Sequence, residues 1–87
     1  MPIICVENIV ADYAKFRAQF DANEHIRIAN GMTNARVFRN ADNGNHIAVF
    51  VDVADAAKAK QALTSPQYHA RMVEGGLIGD LKVHVIE

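Results

Sequence analysis

The chain has 87 residues, 51% of them hydrophobic, with a formal net charge of −1 and a single cysteine. The length sets one domain over residues 1–87. The balanced charge removes the electrostatic case for nucleic acid or an anionic membrane as partner, and Cys5 has no second cysteine for an internal disulfide, so it reads as a core thiol.

No apolar run reaches the ~20 residues of a membrane span. MPIICVENIV lacks the basic start and the length of a signal peptide, so the expected location is the cytoplasm. A domain of this size buries only roughly 60% of the surface of its unfolded chain. The hydrophobic content exceeds what such a core readily hides, which points to self-association.

Residues 2–8 read as a strand that is apolar on both faces, Ile3 and Cys5 on one and Ile4 and Val6 on the other. Asp12 offers an N-cap, and Tyr13, Phe16 and Phe20 form one helical stripe running on to about Ala29, where Asn30-Gly31 is a left-handed stop. Two β-rich runs follow within 33–53, joined by Asn40-Ala41-Asp42-Asn43-Gly44-Asn45, a strong hairpin signal. The first run carries Arg36 and Arg39 and suits a sheet edge; the second, Ile47 to Val51, suits a centre. Asp55 caps an alanine-rich helix. Ser65 and Pro66 start a second helical segment that ends at Gly75-Gly76. Leu77 to Asp80 reads as a turn and Leu81 to Ile86 as the last strand.

The order β-α-β-β-α-β, with the first and third strands apolar on both faces, predicts a ferredoxin-like α+β fold. It has a four-stranded antiparallel sheet in spatial order 4-1-3-2 and two helices on one face. One phase of the strands is aliphatic (Ile3, Cys5, Ala35, Val37, Ile47, Val49, Val51, Val53, Leu81, Val83, Val85) and is assigned to the helices. The other phase leaves Ile4, Val6, Phe38, Ala48, Phe50 and Ile86 open, a patch suited to packing against a second copy. This assignment needs an odd hairpin loop, because residues directly opposite on paired strands share a face and a one-residue slip inverts a strand.

The four histidines, at 25, 46, 69 and 84, show no i,i+3 or i,i+4 spacing and no Cys/His pair, so no metal site is expected. His46 and His84 would lie two strands apart, about 9.6 Å, beyond the reach of one ion. His84, on the mixed face, is the first catalytic candidate, since a partly buried imidazole titrates near neutrality; the competing reading is an edge-strand histidine at a dimer contact. His25, in the polar part of the first helix, is the second, against a solvated helix residue. His69 reads as surface. Arg36, Phe38, His46 and Phe50 form the candidate ligand-binding set, as a pocket or as the dimer face. Arg36 and Asp52 make a cross-strand ion pair if the hairpin has a three-residue loop. Ser65, the only serine, is a cap rather than a nucleophile, and Gly75 to Gly79 precedes a strand and so is not a phosphate loop.

The Asp12-Tyr13, Phe16 and Phe20-Asp21 pattern, Gly31, VFRNADNGNHIAVFVDV, Ser65-Pro66-Gln67-Tyr68 and Gly75-Gly76-Leu77-Ile78-Gly79 together resemble the dimeric α+β-barrel superfamily. The likeness covers nearly the whole chain and lies nearest small cyclase-like proteins beside the antibiotic-biosynthesis monooxygenases. It implies a homodimer whose sheets form a barrel, with a cleft between sheet and helices. It also implies cofactor-free monooxygenase or cyclase chemistry on a small, enolisable aromatic or polyketide-type substrate, in which a histidine or tyrosine moves one proton. A non-catalytic binding or interaction dimer is the alternative. Haem-degrading relatives would place an asparagine and a tryptophan alongside a helix histidine, and this chain has no tryptophan. Ile4 to Ile9 also resembles the first motif of an RNA-recognition module, but Cys5 stands where an aromatic is required and only Phe50 is available on the third strand.

Overall fold

A computed structural model describes residues 2–86. Eight elements follow in order: β1 (Ile3–Val10), α1 (Tyr13–Ala22), α2 (Glu24–Ala29), β2 (Met32–Arg39), β3 (His46–Val53), α3 (Ala56–Leu63), α4 (Pro66–Glu74) and β4 (Leu77–Ile86). The predicted caps form. Asp12 accepts the Ala14 and Lys15 N–H groups at the start of α1, Asp55 accepts that of Lys58, and Ser65 accepts that of Tyr68 ahead of Pro66. These bonds satisfy donors that have no partner inside the helix.

The first helix does not run unbroken to Ala29. Asn23 takes φ −96° and ψ 9°, and its N–H turns to the Gln19 and Phe20 carbonyls. Asparagine competes poorly for helix interiors and well for turns. The break redirects α2, so that Arg27 Nη1 donates to the Phe20 carbonyl at 2.7 Å. Gly31, at φ +75°, ends α2 in the left-handed region.

The sheet is antiparallel in the order β2-β3-β1-β4, the expected 4-1-3-2 read from its other edge. Arg39 stands opposite Ile47, and the Asn40 N–H donates to the His46 carbonyl, which leaves the odd, five-residue loop 41–45. Arg36 and Asp52 do pair, at 2.9 Å. They meet diagonally, because Arg36 stands opposite Phe50 in this longer-loop register. The tip of the hairpin is tied down: Asn45 accepts the Tyr13 N–H on its side chain and the Val10 N–H on its carbonyl, and Arg39 stacks over Tyr13 at 3.9 Å.

Two further expectations are corrected. The predicted turn at 77–80 is the start of β4. Leu77 and Ile78 pair with Val10 and Ile9, and a bulge then sets Asn8 alone against Gly79, Asp80 and Leu81, with Gly79 at φ +76°. The phase of β1 is inverted. Ile4 stands opposite Val51 and Val6 opposite Val49, so Ile4, Val6, Asn8 and Val10 join Ile47, Val49, Val51 and Val53 against the helices. Ile4 is 0% and Val6 5% exposed, so neither belongs to the open patch. Ile3, Cys5, Glu7 and Ile9 take their place there, and Cys5 is half-buried on the open face rather than in the core. Alternation could not choose between two apolar phases; pairing with β3 did.

Phe16, Ala59, Leu63 and Met32 close the core over this face, with Tyr13, Phe20, Tyr68 and Met72 packed around them. Among the described residues no helix is long and apolar enough to cross a membrane.

The phase of β1 is directly measurable by urea unfolding. Ile4→Ala is expected to cost about 2–5 kcal/mol, as for a fully buried aliphatic side chain, and Ile3→Ala less than half of that. A larger cost for Ile3→Ala than for Ile4→Ala would restore the opposite phase.

Candidate functional site

Between the helix-facing side of β1 and β3 and helices α1, α2 and α4 lies a cavity of about 60 Å³. Val10, Phe16 and Val49 form its apolar floor, with Phe20 and Met72 beside them. Phe16 and Phe20 stack at 5.5 Å, continuing the stripe that begins at Tyr13. At Gly75 the Gln19 carboxamide lies against the backbone, so a Cβ there would displace this side chain.

The polar side chains in this lining are Asn8, Gln19, Asn23, Arg27, Tyr68 and Arg71. Asn8 is 4% exposed, and its Oδ1 has no hydrogen-bond partner among the described residues. It sits at the β-bulge, a feature often found beside functional sites. Such an orphaned acceptor costs free energy unless a ligand or water satisfies it. Arg27 lies flat on the Phe20 ring, 3.6 Å from its centroid, and Arg71 reaches the same cavity from α4. Tyr68 and Met72 are one helical turn apart on α4, which places both on the cavity side.

Burial pushes the Tyr68 phenol above its ordinary value of 10.0, with Arg27 and Arg71 opposing. Tyr68 is therefore a neutral hydrogen-bond donor at physiological pH, not a base. Burial also lowers the Arg27 pKa, against the nearby charges of Tyr68, Glu24 and Asp21. The cavity thus combines an apolar slot with two guanidiniums, one phenol donor and one unsatisfied amide oxygen.

The residues singled out from sequence lie elsewhere. Arg36, Phe38, His46, Phe50 and His84 share the open face of the sheet. Phe38 and Phe50 meet edge to face at 5.6 Å, Arg36 is held by Asp52, and His46 Nε2 lies 2.8 Å from Glu7 Oε1. Two shallow depressions, of about 260 and 220 Å³, flank the Glu7–His46 pair. His84 stands opposite Cys5 and is exposed, as is His25 on α2. None of the four histidines lines the cavity. Among the described residues no group of three His, Cys, Asp or Glu could hold a metal.

The sequence reading missed Asn8, Arg27, Tyr68 and Arg71. Two signals were available: a lone asparagine in the phase Ile4, Val6, Asn8, Val10, and a Tyr68–Met72 pair at helical spacing. The first was hidden by the inverted phase. The second was hidden because Arg27 meets Tyr68 only through the break at Asn23.

No protein-family model and no curated protein matches the chain. Several solved structures match it over nearly their whole length. A protein from Bordetella bronchiseptica, provisionally assigned as an antibiotic biosynthesis monooxygenase, has TM-score 0.79 at 14% identity, over 99% of this chain and 95% of that one. SnoaB, a cofactor-independent oxygenase from Streptomyces nogalater, gives 0.63 at 15%, over 95% and 88%. A conserved protein from Methanosarcina mazei Go1 gives 0.69 at 13%, over 100% and 92%. At these identities the likeness is one of fold. The ferredoxin-like α+β architecture is thereby established, and an activity is not, since one fold hosts many.

Two titrations test the electrostatics. The hydrogen bond from His46, opposed by some desolvation, holds the Glu7 carboxyl below its ordinary 4.5, with the charges of His46, Lys82 and His84 adding to it. Its contribution to stability is complete above 4.5 and is lost as the pH falls through the lowered value. Glu7→Gln is accordingly expected to flatten the acid limb of unfolding free energy against pH; an unchanged limb would disprove the pairing in solution. In an alkaline titration followed by phenolate absorbance, Tyr68→Phe removes a step lying above pH 10, whereas loss of an earlier step would mean that the phenol is not buried.

Proposed function

We propose that the chain is a small homodimeric enzyme acting in the cofactor-free monooxygenase style on an enolisable aromatic substrate in the cavity between sheet and helices. The observation that carries this reading is the polar set around an apolar slot: Arg27, Tyr68 and Arg71 as donors and Asn8 as acceptor, with no imidazole and no carboxylate in the lining among the described residues. Such a site favours an anion formed on the substrate itself. The two guanidiniums stabilise an enolate or phenolate oxygen, which lowers the cost of ionising the substrate with its proton released to solvent. Tyr68 donates to the same developing charge and can return a proton to a reduced oxygen species. With dioxygen as co-reactant, an activated CH2 becomes C=O; one oxygen atom enters the product, and the other leaves as water with the two hydrogens. The fold shared with a cofactor-independent oxygenase supports this reading.

The homodimer rests on the open face. Ile9, Phe38, Ile78 and Ile86 are 41%, 55%, 54% and 43% exposed there, beside both acidic and basic side chains. A second copy would cover this surface sheet to sheet.

Oxygen uptake with hydroxyquinols, together with sedimentation, tests both parts. The parent protein should accelerate uptake, and Tyr68→Phe should lower kcat by about 10²–10³, as for removal of one oxyanion donor. Loss of activity in His84→Ala or His25→Ala instead would move the site away from the cavity. No turnover in the parent would leave a binding dimer, and a monomer at micromolar concentration would remove the dimer.

A further inference from the structure

The charge balance of the cavity defines its ligand more narrowly than its shape does. Of five arginines, Arg17 is paired with Asp21 and Arg36 with Asp52, while Arg39 is held by the Gly44 carbonyl and the Tyr13 ring. Arg27 and Arg71 have no carboxylate partner among the described residues, and both line the cavity. One donor of Arg27 is used by the Phe20 carbonyl. The guanidinium carries five donors in a fixed fork that matches a carboxylate, so most of its capacity is unused at the edge of an apolar slot.

At the other end, the Asn8 Oδ1 is buried and unpartnered. Cations at the half-buried rim and an acceptor on the floor give the site a direction. The arrangement calls for a flat ligand bearing an anion at its outer end and a hydrogen-bond donor at its inner end. A bulky polycycle is disfavoured. The closed part of the cavity measures about 60 Å³, and an apolar cavity of about 150 Å³ is known to admit benzene. A single ring enters only as Met72 and Gln19 swing outward, which thioether and amide side chains do at low cost.

We propose that the cavity selects a monocyclic hydroxy-aromatic carboxylate, with the carboxylate held between Arg27 and Arg71 and the hydroxyl donated to Asn8. This rests on the cavity being the ligand site, as proposed above, but not on any turnover there. The para isomer suits a rim-to-floor orientation, because its two groups point in opposite directions along one axis.

The experiment is a titration of the full chain, followed by backbone amide shifts, with 4-hydroxybenzoate, 4-hydroxybenzamide and benzoate at low salt. The expected result is that 4-hydroxybenzoate binds about tenfold more tightly than the neutral amide, the size of one hydrogen bond to a charged group. Shifts should centre on Asn8, Arg27 and Tyr68, and the preference should shrink with added salt. Arg71→Gln, an exposed position whose loss leaves the fold intact, should abolish most of the acid-over-amide preference, and Arg27→Gln the rest. Asn8→Ala should erase the advantage of 4-hydroxybenzoate over benzoate while leaving the charge preference in place. Equal binding of acid and amide, or shifts confined to the open sheet face, would overturn the inference. Oxygen uptake with a hydroxyquinol but no acid preference would overturn this inference alone, whereas acid preference without oxygen uptake would overturn only the enzymatic reading.

Discussion

The pairing of β1 with β3 is the constraint on which the rest of the structure depends. Ile4 stands opposite Val51 and Val6 opposite Val49. Both strands are central, and each has an apolar phase on both sides, so their mutual register decides which set meets the helices. Sliding β1 by one residue would place Ile3, Cys5, Glu7 and Ile9 under α1 and α3. It would bury a carboxylate in the core, at far greater cost than burying Asn8. The polar positions of β1 thus break a tie that its apolar positions leave open.

The same register creates the cavity. Asn8 is carried inward with Ile4 and Val6, at the point where the β4 bulge interrupts the ladder. It arrives opposite a helical layer whose first member is broken at Asn23, and the break brings Arg27 back over Phe20. An orphaned buried acceptor on one wall and, on the other, a half-buried guanidinium without a carboxylate are each unfavourable where water is scarce. Their presence around one void is most simply understood as preparation for a ligand that satisfies both. The raised pKa of Tyr68 belongs to the same environment: burial that withholds solvent from the phenol also strengthens its hydrogen bond to any anion that enters.

The two faces of the sheet therefore have different chemistry. The helix face of the two central strands β1 and β3 is aliphatic apart from Asn8. The open face alternates Phe38, Phe50, Ile9, Ile78 and Ile86 with Arg36, Asp52, Glu7, His46 and Lys82, and several of these charges are already paired within the chain. Paired charges among exposed aromatic and aliphatic side chains can enter an interface without leaving an uncompensated ion. The histidines and aromatics singled out on the strands by sequence, and Arg36, fall on this face, which is why they come together with one another and not with the cavity; Arg39, opposite Ile47, turns instead to the Tyr13 ring.

Local chemistry was legible in the sequence. The caps at Asp12, Asp55 and Ser65, the left-handed stop at Gly31, the hairpin at Asn40 to Asn45 and the order of the strands follow from short-range rules, since each is decided by a few neighbouring residues. Only the tertiary structure decided the phase of β1, the strand start at Leu77 and the membership of the cavity. These rest on which residue stands opposite which across the sheet, and on a bend at Asn23 that propensity leaves ambiguous. Asn8, Arg27, Tyr68 and Arg71 are scattered over sixty-odd positions without a motif. The sequence by itself determined the layers. The packing of α1, α2 and α4 on β1 and β3 determined the site, because an unpaired charge or an unsatisfied amide is a property of the surroundings and not of the residue.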